Sequence, residues 1–334
     1  MRIIFLALLL SLLGGCQSAP QTPTANTDTA EERLSAEDLS RLEAQYEQFL
    51  TAPDLPGRLQ RLVELEQQAL QLSTDEPLKL GSLGSAILDL YPGSQTGHLV
   101  LAKFYAHVEV SAAQVRHAQA LREQQQFMRR AGADGTLEAP FHVMTALDAH
   151  AFARSQQEQP VGSMYLVPEL TSLQLLLVAR PADAALHTTH FDLSHLIRTV
   201  GSGPADRNAW RLLREFATQM DSAAQTAIGR MMLGSQRYQD ATGWLQAAAR
   251  SGNVLANIAL ARLYLQQLEQ VESSARESTL DLVMENYLHA IALGSTEAMY
   301  TLANLYINDY YGADNRSAAI PLLLQAGDLG TRRH

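Results

Sequence analysis

Three short segments in the last third of the chain repeat one pattern of residue types, and this repetition constrains the possible folds most strongly. Each segment is apolar, small, polar, apolar and large in that order, and the three span residues 228–232, 260–264 and 302–306. Each is followed by an alanine-rich stretch with a closing glycine, namely Gly252, Gly294 and Gly330. The spacing predicts pairs of helices. One such pair cannot cover its own apolar face, so we expect neighbouring pairs to stack into a curved solenoid.

The small residue at the second position of each segment predicts close packing of the paired helices. Gly229, Ala261 and Ala303 leave a groove that the flanking Leu, Met and Tyr side chains can fill. The closing glycines supply the left-handed backbone conformation that ends many helices. The middle unit is longer than the other two because it contains an additional polar stretch, 269–278.

The pattern is clearest in residues 223–253 and 297–330, where it resembles the Sel-one-like branch of the tetratricopeptide repeats. The resemblance implies a solenoid of helical hairpins that binds a protein on its concave surface rather than catalysing a reaction. Two features depart from the family: the loop between the paired helices is reduced to Gly234-Ser235 in the first unit, and the long middle unit is atypical. Secreted relatives often staple each hairpin with a disulfide, which a chain with one cysteine cannot do.

The first residues have the composition of a secretion signal. One basic residue, Arg2, precedes an apolar run, 3–13, that is too short to span a bilayer as a stable helix. The run closes with Leu13-Gly14-Gly15-Cys16, which resembles a bacterial lipobox. This resemblance implies cleavage before Cys16 and attachment of lipid, including palmitate, to that cysteine. Because Gln17 rather than aspartate follows, it also implies an outer-membrane address facing the periplasm. The alternative is an ordinary signal peptide with an unrelated cysteine.

The segment after the cysteine has the composition of a flexible tether. Residues 17–30 contain two prolines and no large apolar side chain, so they cannot bury enough surface to fold. The formal net charge of the chain is −10, which argues against nucleic acid or an anionic lipid surface as a partner. The partners we expect are therefore proteins of the envelope, with the lipid anchor as the contact to the membrane.

Residues 34–131 have the pattern of successive helical hairpins. Ser35, with Asp38 three residues later, predicts a capped helix start, and Pro53 and Pro56 predict the end of that helix. Further helices follow at short intervals, and the last and longest is expected over 111–131.

The pattern changes at the Gly-Ala-Asp-Gly turn, 132–135, and we expect a small α+β unit over 132–202. An extended segment, a helix at 145–157 and three strands are predicted there, the strands at 164–167, 173–179 and 186–193. The stretch 173–178 is apolar nearly throughout, which is typical of a central strand covered on both faces. A calcium turn is the alternative for 132–135, although one carboxylate falls far short of the roughly six or more oxygen ligands that Ca²⁺ takes.

Together these patterns predict a mainly α protein, a tetratricopeptide-like helical-hairpin repeat solenoid with a small central α+β unit. The boundary signals are the turn at 132–135 and the return of helical periodicity after Pro204. The expected parts are a lipoprotein signal peptide at 1–15, a lipidated tether at 16–33, N-terminal helical hairpins at 34–131, the α+β unit at 132–202 and Sel-one-like repeats at 203–334.

The one concentration of histidines is His187, His190 and His195, with Asp192 among them. On a strand, His190 and Asp192 share a face while His187 points to the other, so the spacing does not assemble a metal-ligand set. We interpret these residues as polar side chains on the exposed face of an edge strand. Metal binding is the alternative.

The sequence contains no motif of a familiar catalytic class. A Gly-x-Ser-x-Gly elbow, a phosphate-binding glycine loop and a His-Glu-x-x-His pair are all absent, and Cys16 is expected to carry lipid. Four glutamates lie on predicted helices among other polar residues, and solvated helix faces explain them: Glu66, Glu123, Glu215 and Glu285. We therefore predict no catalytic residue, no metal ligand and no cofactor.

The leading functional hypothesis is a non-catalytic adaptor, anchored to the outer membrane, whose C-terminal repeats hold a protein partner. By resemblance, its context is an envelope assembly such as exopolysaccharide secretion or cell-wall machinery. The main rival is an enzyme or small-ligand receptor with a site in the central unit, formed by groups such as His142, His190 and Asp192. A purely structural spacer is the third hypothesis.

Overall fold

The structure, a computed structural model, describes residues 34–73, 76–199 and 208–331. These residues are mainly helical and include one small sheet. The helices are α1 (Ala36–Leu50), α2 (Leu55–Leu72), α3 (Leu80–Leu90), α4 (Gln95–His107), α5 (Ser111–Met128), α6 (Ala146–Ser155), α7 (Ala209–Thr218), α8 (Ser222–Gly234), α9 (Tyr238–Arg250), α10 (Val254–Gln267), α11 (Ser273–Ala292), α12 (Thr296–Ile307) and α13 (Ala319–Thr331). The strands are β1 (Phe141–His142), β2 (Gln159–Leu166), β3 (Gln174–Arg180) and β4 (His187–Asp192). Within the described residues, none of the helices is long and apolar enough to cross a membrane.

Local sequence signals set the ends of the N-terminal helices. The Ser35 hydroxyl accepts a hydrogen bond from the backbone N–H of Asp38 at 3.1 Å, so the predicted cap of α1 is confirmed. Pro56 lies in the first turn of α2, where a backbone N–H has no partner within the helix. Helix α5 ends at Met128, before its predicted end, because Ala131 takes a left-handed backbone with φ of 57°.

The sheet has the strand order β1-β4-β3-β2, with β1 parallel to β4 and the other neighbours antiparallel. On β3, Leu175 and Leu177 belong to one apolar cluster, while Leu176 and Val178 pack in another. Successive side chains of a strand point to opposite faces, so β3 is covered on both sides and the predicted central strand is confirmed. Strand β4 lies inside the sheet and not at its edge, because the short β1 pairs with its outer side.

The sheet is the layer that the two apolar clusters share. The first cluster combines one face of the sheet with buried side chains from α1 to α8. The second cluster combines α9 to α12 with Val161 of β2 and Val178 of β3. Helices that precede the sheet in sequence and helices that follow it are therefore held by the same strands.

The C-terminal helices pack as successive hairpins, α8 with α9, α10 with α11 and α12 with α13. The small residues predicted at the helix contacts are buried: Gly229, Ala261 and Ala303. Gly252 follows α9 and Gly294 follows α11 with left-handed φ angles of 78° and 99°, so both predicted helix ends are confirmed.

Gly330 does not end its helix as predicted. Helix α13 continues through this residue to Thr331. The additional polar residues of the middle unit, 269–278, serve mainly to lengthen α11, which begins at Ser273 and is 20 residues long. The middle hairpin therefore differs from its neighbours by extra helical turns.

Replacing Gly229 by alanine is expected to lower the free energy of unfolding by roughly 1–3 kcal/mol. A Cβ atom at this position would lie 2.7 Å from Cγ of Leu245 on α9, closer than two carbon atoms approach each other. Gly243→Ala is the matched control, because Gly243 is exposed on α9 and a Cβ atom there meets nothing within 4 Å. That variant should gain about 0.5–1 kcal/mol from helix propensity. Urea unfolding measures the free energy of unfolding of the two variants. Equal changes in Gly229→Ala and Gly243→Ala would contradict the close approach of α8 and α9.

Candidate functional site

The residue predicted to carry lipid, Cys16, lies outside the described residues. The same holds for the signal peptide at 1–15 and the tether at 16–33. These assignments stay predictions from the sequence.

The histidines of the central unit do not share an exposed strand face. His187, at the start of β4, has its Nε2 atom 3.1 Å from Oε2 of Glu158. His195 lies beyond β4 in a 3-10 helical segment, is buried, and has its Nε2 atom 2.9 Å from the carbonyl oxygen of Met144. The prediction of an exposed edge strand was wrong, because β4 is an interior strand and the chain turns into the core after Asp192.

Two of the three groups named for the rival ligand site lie together. Nδ1 of His142 is 3.4 Å from Oδ2 of Asp192, and the Ser194 hydroxyl donates to Oδ1 of Asp192 at 2.5 Å. Burial raises the pKa of Asp192, but the hydrogen bonds from His142 and Ser194 outweigh it and leave the pKa below its ordinary value. His190 pairs with Leu176 of β3, on the face of the second apolar cluster. Among the described residues, no group of three or more His, Cys, Asp or Glu side chains is placed to hold a metal ion.

The segment 132–135 is a turn, as predicted. Oδ1 of Asp134 accepts a hydrogen bond from the backbone N–H of Thr136 at 3.0 Å, and both Gly132 and Gly135 have left-handed φ angles. An aspartate that bonds its own backbone two residues on is a common turn device.

One of the four glutamates expected on solvated helix faces is buried. Glu66 is 0 % exposed on α2, so the prediction was wrong for this residue. It lies on the apolar side of α2, among Leu62, Leu65 and Ala69. The other three reach solvent: Glu123, Glu215 and Glu285.

Glu66 faces a second buried carboxyl group, that of Asp148 on α6. The Ser94 hydroxyl donates to Oε1 of Glu66 at 2.7 Å and lies 3.2 Å from Oδ1 of Asp148. The Thr145 hydroxyl donates to Oε2 of Glu66 at 2.6 Å, and the backbone N–H of Thr96 donates to Oδ1 of Asp148 at 3.0 Å. The carboxyl pair therefore joins the middle of α2 to the N-terminal ends of α4 and α6.

The environment of the pair favours its protonated form. Burial raises the pKa of Glu66 well above its ordinary value, and the charge of Asp148 raises it further. Burial also raises the pKa of Asp148 to about 6, although Thr96 and Ser94 donate hydrogen bonds to it. Paired carboxyls of this kind can carry acid–base chemistry. Here the residues are only 0 % and 2 % exposed, so no substrate reaches them and we interpret the pair as part of the core.

The second feature with functional potential is a set of exposed side chains that we call the C-terminal apolar residues. They lie on α12, on α13 and in the turn after α12: Tyr300, Ile307, Tyr310, Ile320 and Leu324. On α13, Ile320 and Leu324 are one helical turn apart and are 59 % and 64 % exposed, whereas Ala319 and Ala326 are buried. Single exposed apolar residues are ordinary, but α12 and α13 pack against each other and each carries exposed apolar side chains, which is typical of interaction sites.

The first helices of the three hairpins also present matching polar positions. Arg230 on α8, Arg262 on α10 and Asn304 on α12 occupy the same place in the repeated pattern, and all three are exposed. Arg262 forms an ion pair with Glu297 of the next hairpin. In the second and third hairpins the leucines of the repeated pattern are buried and its polar member is at the surface, whereas in the first hairpin Met231 is 40 % exposed although Ile228 is buried.

Comparisons with protein-family models, with curated proteins and with solved structures found no match.

Proposed function

We propose that this chain is a lipid-anchored periplasmic adaptor that holds another envelope protein through its C-terminal hairpins and performs no catalysis. The observation that supports this most directly is the exposure of the C-terminal apolar residues. Protein interfaces are enriched in tyrosine, and their buried centres are more apolar than the rest of the protein surface. The partner is therefore expected to present a complementary apolar surface.

Two features of the sequence support the same proposal. The repeat pattern resembles Sel-one-like repeats, which bind proteins, and the segment ending in Cys16 resembles a lipobox, which implies attachment to a membrane. The proposed place of action is the periplasmic side of the outer membrane, in an assembly such as exopolysaccharide secretion or cell-wall machinery.

Affinity capture from crosslinked envelopes tests the adaptor proposal. A tagged triple variant with Tyr300→Ser, Ile320→Ser and Leu324→Ser should no longer capture the proteins that the wild-type chain captures. Surface substitutions are preferable to deleting the C-terminal helices, because Val161 and Val178 of the sheet pack against those helices.

The matched control is Val115→Ser, which changes an apolar side chain that is 60 % exposed on α5, and it should capture the full set. Capture of the same proteins by the triple variant would contradict the proposal. Capture of no saturable partner by the wild-type chain would favour a structural spacer instead.

Cys16→Ser is expected to abolish the incorporation of labelled palmitate into the chain and to release it from the membrane fraction. Stable anchoring takes two or more acyl chains, and Cys16 is the one cysteine of the sequence, so its loss removes the expected attachment point. Metabolic labelling and fractionation measure the two effects. Ser18→Ala, two residues away, is the control, and retention of palmitate by Cys16→Ser would overturn the anchor proposal.

A further inference from the structure

A cleft of about 600 Å³ lies between α2, α6, β2 and the α7–α8 hairpin. Its volume is within the range of small-molecule binding sites, which is roughly 300–1,000 Å³. The cleft is lined by other residues than the C-terminal apolar residues, so the adaptor function proposed above does not account for it.

One part of the cleft lining is apolar. Leu59 of α2, Leu147 of α6, and Leu212 and Phe216 of α7 contribute side chains to it. Met220, in the turn between α7 and α8, stands at the rim and is 79 % exposed. An apolar group of a ligand that entered the cleft would cover these side chains and gain the corresponding hydrophobic free energy.

Polar groups converge on the same space. Asp221 uses Oδ1 to cap α8 through the backbone N–H of Ala224 at 2.9 Å, and its Oδ2 accepts one long hydrogen bond from the Tyr165 hydroxyl at 3.3 Å. His150 of α6 also lines the cleft, and burial lowers its pKa to about 4. At neutral pH its imidazole is therefore uncharged and can accept a hydrogen bond as well as donate one.

The charge of the lining has one sign. Three carboxyl groups border the cleft, those of Glu64, Glu215 and Asp221, and none of the described lining residues is Lys or Arg. Arg61 lies 3.5 Å from Glu64 and offsets part of that charge. Of the other two carboxyl groups, Glu215 is exposed, whereas burial raises the pKa of Asp221 even though Ala224 and Tyr165 donate hydrogen bonds to it. A lining of this kind repels anions and attracts cations.

We propose that the cleft binds a ligand in which an apolar group lies beside a protonated amine or guanidinium group. The apolar group would contact Phe216 and Met220, and the cation would lie between Glu215 and Asp221. Two sources supply this chemistry, a basic side chain of a peptide and a free small amine, and they can be distinguished by experiment.

Isothermal titration of the full chain in detergent tests the proposal with four probes. N-acetyl-Phe-Arg amide is compared with its neutral counterpart N-acetyl-Phe-citrulline amide, with N-acetyl-Phe-Glu amide and with phenethylamine. The Arg peptide carries a charge that the citrulline peptide lacks, and hydrogen bonds to charged groups add more binding free energy than neutral ones. The Arg peptide should therefore bind about tenfold more tightly than the citrulline peptide. The Glu peptide should bind most weakly. Tight binding of the Arg peptide alone identifies a peptide source, and tight binding of phenethylamine identifies a small amine.

Asp221→Asn removes the charge while it retains the helix cap, because asparagine caps helices as well as aspartate does. This variant should weaken binding of the Arg peptide about tenfold and leave the affinity for the citrulline peptide unchanged. Asp240→Asn is the control, since Asp240 is exposed on α9, pairs with Arg237 and lies outside the cleft. Equal affinities for the Arg and Glu peptides, an unchanged affinity in Asp221→Asn, or binding of none of the four probes would overturn the proposal.

Discussion

Replacing Glu66 by glutamine is expected to raise the free energy of unfolding at pH 8 by on the order of 2 kcal/mol, and to change it much less at pH 5. Wild-type Glu66 is buried beside Asp148, so at pH 8 the folded chain must either hold a proton there or bury two charges. Glutamine is neutral at every pH. Its amide can still accept a hydrogen bond from Ser94 or Thr145 and can donate one to Asp148.

The direction of the pH effect follows from proton binding. Glu66 and Asp148 bind protons more tightly in the folded chain than in the unfolded chain, because their pKa values are raised. The stability that the pair provides is therefore fully present below the unfolded values of 4.5 and 3.8. It is lost as the pH rises through about 6 for Asp148 and through the raised pKa of Glu66.

Three histidines have the opposite effect on stability. Burial lowers the pKa values of His98, His150 and His195 from 6.5 to about 4. Their contribution is present above pH 6.5 and is lost as the pH falls toward 4, because the unfolded chain then binds protons that the folded chain rejects. The wild-type profile combines both trends. Subtracting it from the Glu66→Gln profile isolates the carboxyl pair, since the histidines are the same in both chains.

Glu66→Ala should lower the free energy of unfolding, whereas Glu66→Gln should raise it. It leaves the hydroxyl groups of Ser94 and Thr145 without their acceptor and opens a space in the core, which together cost about 3 kcal/mol. Glu43→Gln, at an exposed position of α1, is the control and should change stability little at either pH. Urea unfolding followed by circular dichroism at pH 5 and pH 8 measures all three variants. An equal effect of Glu66→Gln at both pH values would show that the buried pair does not titrate as described.

Features that depend on neighbouring residues could be predicted from the sequence. The apolar run of β3 predicted a central strand because a strand covered on both faces needs apolar residues at successive positions. Gly252 and Gly294 predicted helix ends because their left-handed conformation is local. Gly330 has the same sequence context, yet α13 continues through it, so a glycine alone does not end a helix.

Features that depend on distant segments could not be predicted in this way. Glu66 has polar neighbours in sequence, and its burial results from Ser94, Thr145 and Asp148, which other helices bring to it. The one local signal was its place on the apolar side of α2. The cleft was missed for a similar reason, because its lining comes from elements as far apart in sequence as α2 and α8.

Phe191→Ala is expected to lower the free energy of unfolding by about 3–5 kcal/mol. Phe191 is 0 % exposed on β4, with its ring centroid 6.0 Å from that of Phe141 and 5.8 Å from that of Phe152. Its removal leaves a cavity among large rings that cannot close around it. Val115→Ala, at an exposed position of α5, should lower the free energy of unfolding only slightly and serves as the control.

The same variant tests whether the sheet couples the two halves of the chain. Phe191 belongs to the first apolar cluster, but its neighbour β3 also carries Val178 of the second cluster. Loosening the sheet therefore exposes apolar surface on both faces. Amide hydrogen exchange should accelerate in α9 to α12 as well as in α2 to α6. Acceleration confined to α2 to α6 would mean that the C-terminal hairpins are stable without the sheet, as the domain boundaries predicted from the sequence imply.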